Sequence, residues 1–474
     1  MVRSALVFLL AATSLAGALW WAPHVAEGEP HSLPAFPRPP PSRPVAVTRV
    51  SYGDALLTVD TRADREAVLA GTAAELFLEV AVTATDAAPP QKGIATLLVI
   101  DRSGSMAGEA IEQVRLGALQ LLKGLDDDDR FALLSYGSDV NVDVPWTTTT
   151  GPGKAAVAAQ VTELVEGVGT HLEAGLRKSV SLVQQLSSWD GPVRVILLSD
   201  GLANEGERRV DRLVAYGTQL RNLGATLSTL GLGTEFHAPL LGELATRGGG
   251  RYRYLSEAKD LGRLFDDERR HAAAVVAQNV TLRLDLASGV QLTDVHGALP
   301  EVAASSGSLH LGELAAGETR HVVLSLRFPV AIEGPQSLEF PPPTVTYRAT
   351  AGSTTSLLSP ADPLRMRVLH DAPAVAAGRI EDVSARVTLV QQQAALGRVL
   401  AGSSPRADEF ALAALENAAA VLHRAAHEQS SALLAEEARR ARAVVDQLKR
   451  AHDDATQGAE ILQREQARVF ELTR

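Results

Sequence analysis

The apolar run Ala95-Thr96-Leu97-Leu98-Val99-Ile100 ends abruptly in Asp101-Arg102-Ser103-Gly104-Ser105-Met106, and this junction narrows the choice of fold more than any other stretch. A short apolar run containing β-branched residues, closed by a turn rich in oxygen side chains, reads as a buried strand feeding a loop. Asp101, Ser103 and Ser105 alternate, so their short side chains can converge on one point. All three offer hard oxygen donors, suited to Mg²⁺ or Mn²⁺ rather than zinc. Residues 107–123 then read as a helix, which sets the loop at a helix N-terminus carrying partial positive charge.

From residue 92 to 275 strand-like and helix-like segments alternate. The pattern predicts strands at 94–100, 130–136, 139–145, 193–199, 225–231 and 251–255. It predicts helices at 107–123, 153–165, 171–188, 206–222, 238–246 and 257–275. Such alternation is the signature of a doubly wound α/β sheet. Ligands in sheets of this class bind outside the carboxyl ends of the strands, where the strand order reverses. The loop at Asp101 and the end of the strand Val193–Ser199 both fall where that rule expects a site.

Asp101, Ser103 and Ser105 are followed by Asp129-Arg130-Phe131-Ala132-Leu133-Leu134-Ser135-Tyr136, Gly167-Val168-Gly169-Thr170-His171-Leu172, Val193 to Gly201 and Leu230-Gly231-Leu232-Gly233. In this order, on these elements, the segments resemble the von Willebrand factor type A (vWA) family over roughly residues 92–275. That family's Asp-x-Ser-x-Ser loop begins a metal-ion-dependent adhesion site. The resemblance implies a Rossmann-like fold and a Mg²⁺ (or Mn²⁺) ion held by Asp101, Ser103, Ser105, Thr170 and Asp200. It further implies an open coordination position that an Asp or Glu of a partner protein completes. Arg102, Met106 and His171 are expected to border the site and contact the partner. Catalysis by such an ion needs a neighbouring base or nucleophile. His171 and Glu173 are the local candidates, and a capping or surface role suits His171 better.

The flanks read differently. Arg3 precedes the uncharged, mostly apolar run Ala5 to Trp21, with small residues at Ala16, Gly17 and Ala18. Residues 1–26 therefore read as an export signal or, uncleaved, as a membrane anchor. Residues 27–44 form a Pro-rich linker. Two-residue alternation marks 45–90 and 277–372 as strands, with Gly312 to Glu318 as a turn. The first group is expected to complete a β-sandwich with the second, which makes 91–276 an insertion. Residues 373–474 are rich in Ala, Leu, Glu, Arg and Gln and read as helices broken near Gly402–Pro405 and Gln429–Ser431.

Composition removes several functional classes. Forty-five Lys and Arg stand against 56 Asp and Glu, a formal charge of −11, and no basic stripe appears, which argues against nucleic acid as a partner. With 0 cysteines there is no disulfide framework, thiolate metal site or cysteine nucleophile. His423 and His427 stand one helical turn apart, but Arg424 replaces the Glu that a zinc-protease motif requires. Asp126 to Asp129 lacks the alternating ligands and Gly of a calcium loop. Gly248 to Gly250 precedes a strand and not a helix, so it is no phosphate cradle. The expectation is an exported bacterial-type protein that binds a partner through a metal and is not an enzyme. The competing readings are a metal-dependent hydrolase, the vWA subunit of a chelatase or ATPase assembly, and a scaffold with an empty site. Oligomeric state is not legible in the sequence.

Overall fold

The computed structural model describes residues 46–86, 93–200, 202–233, 236–286, 289–300, 307–328, 337–350, 355–402, 409–451 and 454–473. The expected signal or anchor and the whole of the Pro-rich linker lie outside them. No helix among the described residues is long and apolar enough to cross a membrane.

The described residues open with four strands, β1 (Arg49–Gly53), β2 (Leu57–Ala63), β3 (Ala67–Leu69) and β4 (Ala74–Ala84). The α/β body follows: β5 (Ala95–Asp101), α1 (Glu109–Gly124), β6 (Arg130–Tyr136), β7 (Val140–Thr148), α2 (Gly151–Thr162), α3 (Leu172–Gln184), β8 (Val193–Ser199), α4 (Val210–Asn222), β9 (Ala225–Leu232), α5 (Ala238–Arg247), β10 (Gly249–Leu255) and α6 (Leu261–Ala274). Strands then return as β11 (Val275–Arg283), β12 (Gln291–His296), β13 (Leu299–Pro300), β14 (Ser308–Ala315), β15 (Thr319–Phe328), β16 (Ser337–Phe340), β17 (Thr344–Ala349), β18 (Thr355–Leu358) and β19 (Leu364–Leu369). Among the described residues five helices follow: α7 (Ala372–Ala377), α8 (Glu381–Gly402), α9 (Glu409–Glu428), α10 (Ala432–Arg450) and α11 (Ala455–Thr473).

The α/β sheet has the order β10-β9-β8-β5-β6-β7, parallel except for the antiparallel edge strand β7. All seven residues of β5 and all seven of β8 are buried, as expected for parallel strands covered on both faces. One face packs on Leu172, Leu176, Leu213 and Leu244, the other on Ile111, Val114, Leu121 and Phe265. The predicted strands and helices are all present, with shifted ends. Helix α4 starts at Val210 and not at residue 206, because Glu207 Oε1 accepts the backbone N–H groups of Arg208 and Arg209, each at 3.0 Å, and holds a turn there. Helix α6 starts at Leu261, after a single 3₁₀ turn at Ala258–Asp260.

Strand β4 lies between β2 and β15, pairing with β15 from Ala74↔Phe328 to Thr83↔Thr319. The sheet β1-β2-β4-β15-β12 faces the sheet β13-β14-β11-β17-β18 across one core that includes Val59, Leu78, Val80, Val280, Leu311, Leu324 and Val345. Helix α6 passes into β11 with no intervening residue. The expected turn at Gly312 to Glu318 is shorter than the sequence suggests. Gly312 (φ 87°) sits within β14 where the pairing with β11 is irregular, and the reversal is confined to Ala316–Glu318. In a strand, a positive-φ glycine marks a bulge as readily as a turn.

Alternation on β4 predicts a solvated outer face, but α8 covers it. Val383, Val387 and Val390 pack on Phe77 and Val323, and Glu79 is fully buried between the strand and the helix. Helices α9 and α10 meet at Ser430, whose φ of 47° ends the first, and the Ser431 hydroxyl accepts the Leu434 N–H at 3.3 Å to cap the second. The exposed rings of His423 and His427 stack edge to face, 4.8 Å apart.

Candidate metal site

Asp101 is the last residue of β5, and Asp200 directly follows β8. These two strands are neighbours whose chains depart in opposite directions, β5 toward β6 and β8 toward β9. The crevice between them is the switch point of the sheet. Asp101 is fully buried, Ser103, Thr170 and Asp200 nearly so, and Ser105 is exposed.

The side chains of the loops that follow β5 and β8 meet directly. Ser103 Oγ lies 3.0 Å from Ser105 Oγ and donates to Asp200 Oδ1 at 3.3 Å. Asp101 Oδ1 accepts the Ser103 N–H at 3.0 Å, and its Oδ2 accepts the Ser199 hydroxyl at 3.1 Å. Thr170 is fixed through its backbone. Its N–H donates to Asn204 Oδ1 at 2.8 Å, and its carbonyl accepts from the N–H groups of Asn204 and Glu205. On the other side, the Ser138 N–H donates to Val168 O and the His171 N–H to Gly137 O, which ties the Thr170 loop to the end of β6. Gly169 makes this packing possible. Its φ is +69°, and a Cβ there would stand 2.2 Å from both Ser138 Oγ and Glu205 Oε1, which bond to each other at 2.6 Å.

Burial drives the Asp101 carboxyl up to about 6, and the nearby Asp200 charge adds to the rise against the Ser103 and Ser199 hydrogen bonds. The Asp200 carboxyl is raised as well, mainly by burial, with the Ser105 and Ser103 hydroxyls acting the other way. Among the described residues neither carboxylate pairs with a Lys, Arg or His. Two buried carboxylates ringed by neutral hydroxyls and short of positive charge suit a hard divalent cation. No group of three or more His, Cys, Asp or Glu side chains among the described residues is placed to hold a metal, so a site here rests on hydroxyl oxygens as much as on carboxylates.

Two of the three expected partner-contact residues face inward. Met106 is fully buried in the core with Ile111, Leu98 and Leu198, because the 3₁₀ turn Gly104–Met106 rotates it beneath the loop. Arg102 is 8% exposed and its guanidinium pairs with Asp139, while its backbone bonds to Tyr136 O and to the Gly167 N–H. It clips three loops together and does not present a surface. His171 remains half-exposed at the start of α3, with Nε2 3.5 Å from Glu173 Oε2. Glu173 also accepts the Tyr216 hydroxyl at 2.6 Å. Sequence reasoning overlooked Ser199 and Asn204. Ser199 carried a signal, a hydroxyl ending an apolar strand beside Asp200, whereas Asn204 bonds to Thr170 from 34 residues away and carried none.

Comparison with known proteins agrees with this architecture. The family model for the von Willebrand factor type A domain matches residues 97–267. The uncharacterized protein sll0103 of Synechocystis sp. is 26% identical over 288 residues, covering 57% of this chain and 65% of that protein. The uncharacterized protein YfbK of Escherichia coli is 26% identical over 212 residues, 44% of this chain and 36% of the relative. This chain thus spans about two thirds of the first relative and about a third of the second. A solved von Willebrand factor type A structure from Catenulispora acidiphila superposes with a TM-score of 0.64 at 18% identity, covering 81% of this chain and 91% of its own, a likeness of fold. The chain therefore carries a von Willebrand factor type A domain, with an added β module and C-terminal helices.

Proposed function

We propose that Asp101, Ser103, Ser105, Thr170 and Asp200 hold a Mg²⁺ or Mn²⁺ ion, and that the ion captures an Asp or Glu side chain of a partner protein. The observation that carries this reading is the pair of buried carboxylates, Asp101 and Asp200, beside Ser103 and Ser105, with no cationic side chain among the described residues paired to either. Three neutral hydroxyls and two carboxylates make five oxygen donors, one short of the six that an octahedral ion takes. A carboxylate from outside supplies the sixth with strict geometry. His171, at the rim, is the residue of the original three that still suits contact with a partner.

On this reading the protein binds and does not catalyse. The residues 91–276 are the binding body, the strands of 45–90 and 277–372 form the module that carries it, and 373–474 brace the two. The apolar run Ala5 to Trp21 supports export, as a cleaved signal or a retained anchor, and the acidic composition supports a protein partner over nucleic acid. The test is calorimetry with Mg²⁺ and Mn²⁺ on the wild type and Ser103→Ala, followed by capture of envelope proteins with and without EDTA. Heat in the wild type alone and capture that EDTA abolishes are expected. Equal heats, or capture indifferent to EDTA, would overturn the proposal.

A further inference from the structure

The α/β body, the β-sandwich and the C-terminal helices meet around a cavity of about 530 Å³. One wall is β10, whose Arg251 and Arg253 are two residues apart in the strand and so project to the same side. A second is the reversal between β14 and β15, with Glu318, Arg320 and His321. Helix α8 supplies the third, through Arg386 and the residues one and two turns on, and His271 reaches in from the end of α6. Four arginines and two histidines thus line a space with one glutamate. The volume lies within the usual range for small-molecule sites, roughly 300–1,000 Å³.

Two of the carboxylates behind the walls, Glu79 and Glu313, are shared with arginines outside the cavity. Glu79 stands 2.8 Å from His321 Nδ1 and 3.4 Å from Arg386 Nε, but it is already engaged by Arg62 at 2.6 Å. Glu313 lies 3.3 Å from His271 and is shared with Arg194 and with the Thr226 hydroxyl at 3.0 Å. Glu318 pairs with Arg320 at 2.5 Å. Glu268 lies 2.7 Å from Arg251, yet the buried Nε of Arg251 makes no hydrogen bond. A buried guanidinium N–H without an acceptor is costly in a protein whose only role there is packing.

We infer that this three-way junction binds a small phosphate-bearing polyanion. Guanidinium groups match phosphate oxygens with paired N–H donors, and several arginines around one enclosure favour a ligand with more than one anionic group over a single carboxylate. A nucleic-acid strand fits poorly, since the cavity is small and the chain carries a net charge of −11. The inference is independent of the metal site, which lies at the carboxyl ends of the strands. Arg194 and Thr226, the second residues of β8 and β9, meet Glu313 at the amino ends instead.

The test is titration calorimetry of the full chain in EDTA with pyrophosphate, inorganic phosphate and citrate, at matched ionic strength near 0.15 M, where unspecific surface attraction is screened. Saturable binding of pyrophosphate is expected, stronger than that of phosphate or citrate. Arg386→Gln and Arg253→Gln should each weaken it about tenfold or more, the scale of losing one charged hydrogen bond. Arg386→Lys should retain part of the affinity, and Ser103→Ala should bind as the wild type does. Circular dichroism establishes that each variant is folded, and Arg253→Gln decides the matter if Arg386→Gln is not. No saturable heat with pyrophosphate, equal affinity for citrate, or affinity unchanged in the folded arginine variants would overturn the inference.

Discussion

Replacing Asp101 by Asn tests the electrostatic reasoning about the site more sharply than a loss-of-binding variant can. In the metal-free fold the Asp101 carboxyl is raised from 3.8 to about 6, chiefly by burial, so at pH 7 the folded chain holds a charge it disfavours. That displacement corresponds to about 3 kcal/mol relative to the unfolded chain. Asn keeps an oxygen for the Ser103 N–H, but its amide nitrogen replaces the oxygen that accepts the Ser199 hydroxyl, a loss of about 1 kcal/mol. The net gain is about 2 kcal/mol, or a melting temperature about 4–8 °C higher for a body of this size. The assay is thermal unfolding in EDTA and in excess Mg²⁺ or Mn²⁺. In EDTA the variant should melt above the wild type. With metal at about a hundred times its dissociation constant, the wild type alone should gain about 2.7 kcal/mol. The sign with pH follows from the raised value. The folded wild type binds the Asp101 proton more tightly than the unfolded chain does, so the variant's advantage is full above pH 6 and fades between 6 and 3.8. A variant less stable than the wild type in EDTA, or an equal response of both proteins to metal, would refute the reasoning.

Further outcomes are expected elsewhere. Thr170→Ala should weaken Mg²⁺ binding at least tenfold in calorimetry while leaving the circular dichroism spectrum unchanged, since Thr170 is fixed through its backbone. Gly169→Ala should cost about 1–2 kcal/mol from the positive φ alone, and more from the contact with Ser138 and Glu205, so both melting temperature and metal affinity should fall. Glu313 is buried with Arg194 and His271, and Glu313→Gln should destabilise by about 3–5 kcal/mol by leaving Arg194 unbalanced. Burial opposes ionisation of Glu79 and Glu313, but the His321 and Arg62 contacts of the first and the Arg194 contact of the second hold both below the ordinary glutamate value of 4.5. Their stabilisation is therefore complete above pH 4.5 and is lost as pH falls below it. Acid unfolding of the wild type should steepen there, and Glu313→Gln should flatten the curve.

The sequence by itself determined the α/β body. Mostly apolar runs such as Ala95–Ile100, interrupted only by Thr96, and Val193–Leu198, interrupted only by Arg194, read as buried parallel strands when helices alternate with them, and the oxygen-rich loop at Asp101 then falls at a strand end by topology alone. What only the tertiary structure decided are matters of contact between distant segments. Met106 and Arg102 stand beside Asp101, Ser103 and Ser105 in sequence, yet one is core and the other is an internal clip, because a single 3₁₀ turn and a pairing with Asp139 set their directions. Glu79 occupies an outward position of β4 and reads as solvated until α8, some 300 residues later, covers it. The arginine-lined cavity arises in the same way, from β10, the β14–β15 reversal and α8, none of which is basic enough alone to draw attention. Period and propensity are local quantities, carried by neighbours in the chain, whereas the burial of a charge depends on which remote surface comes to lie over it.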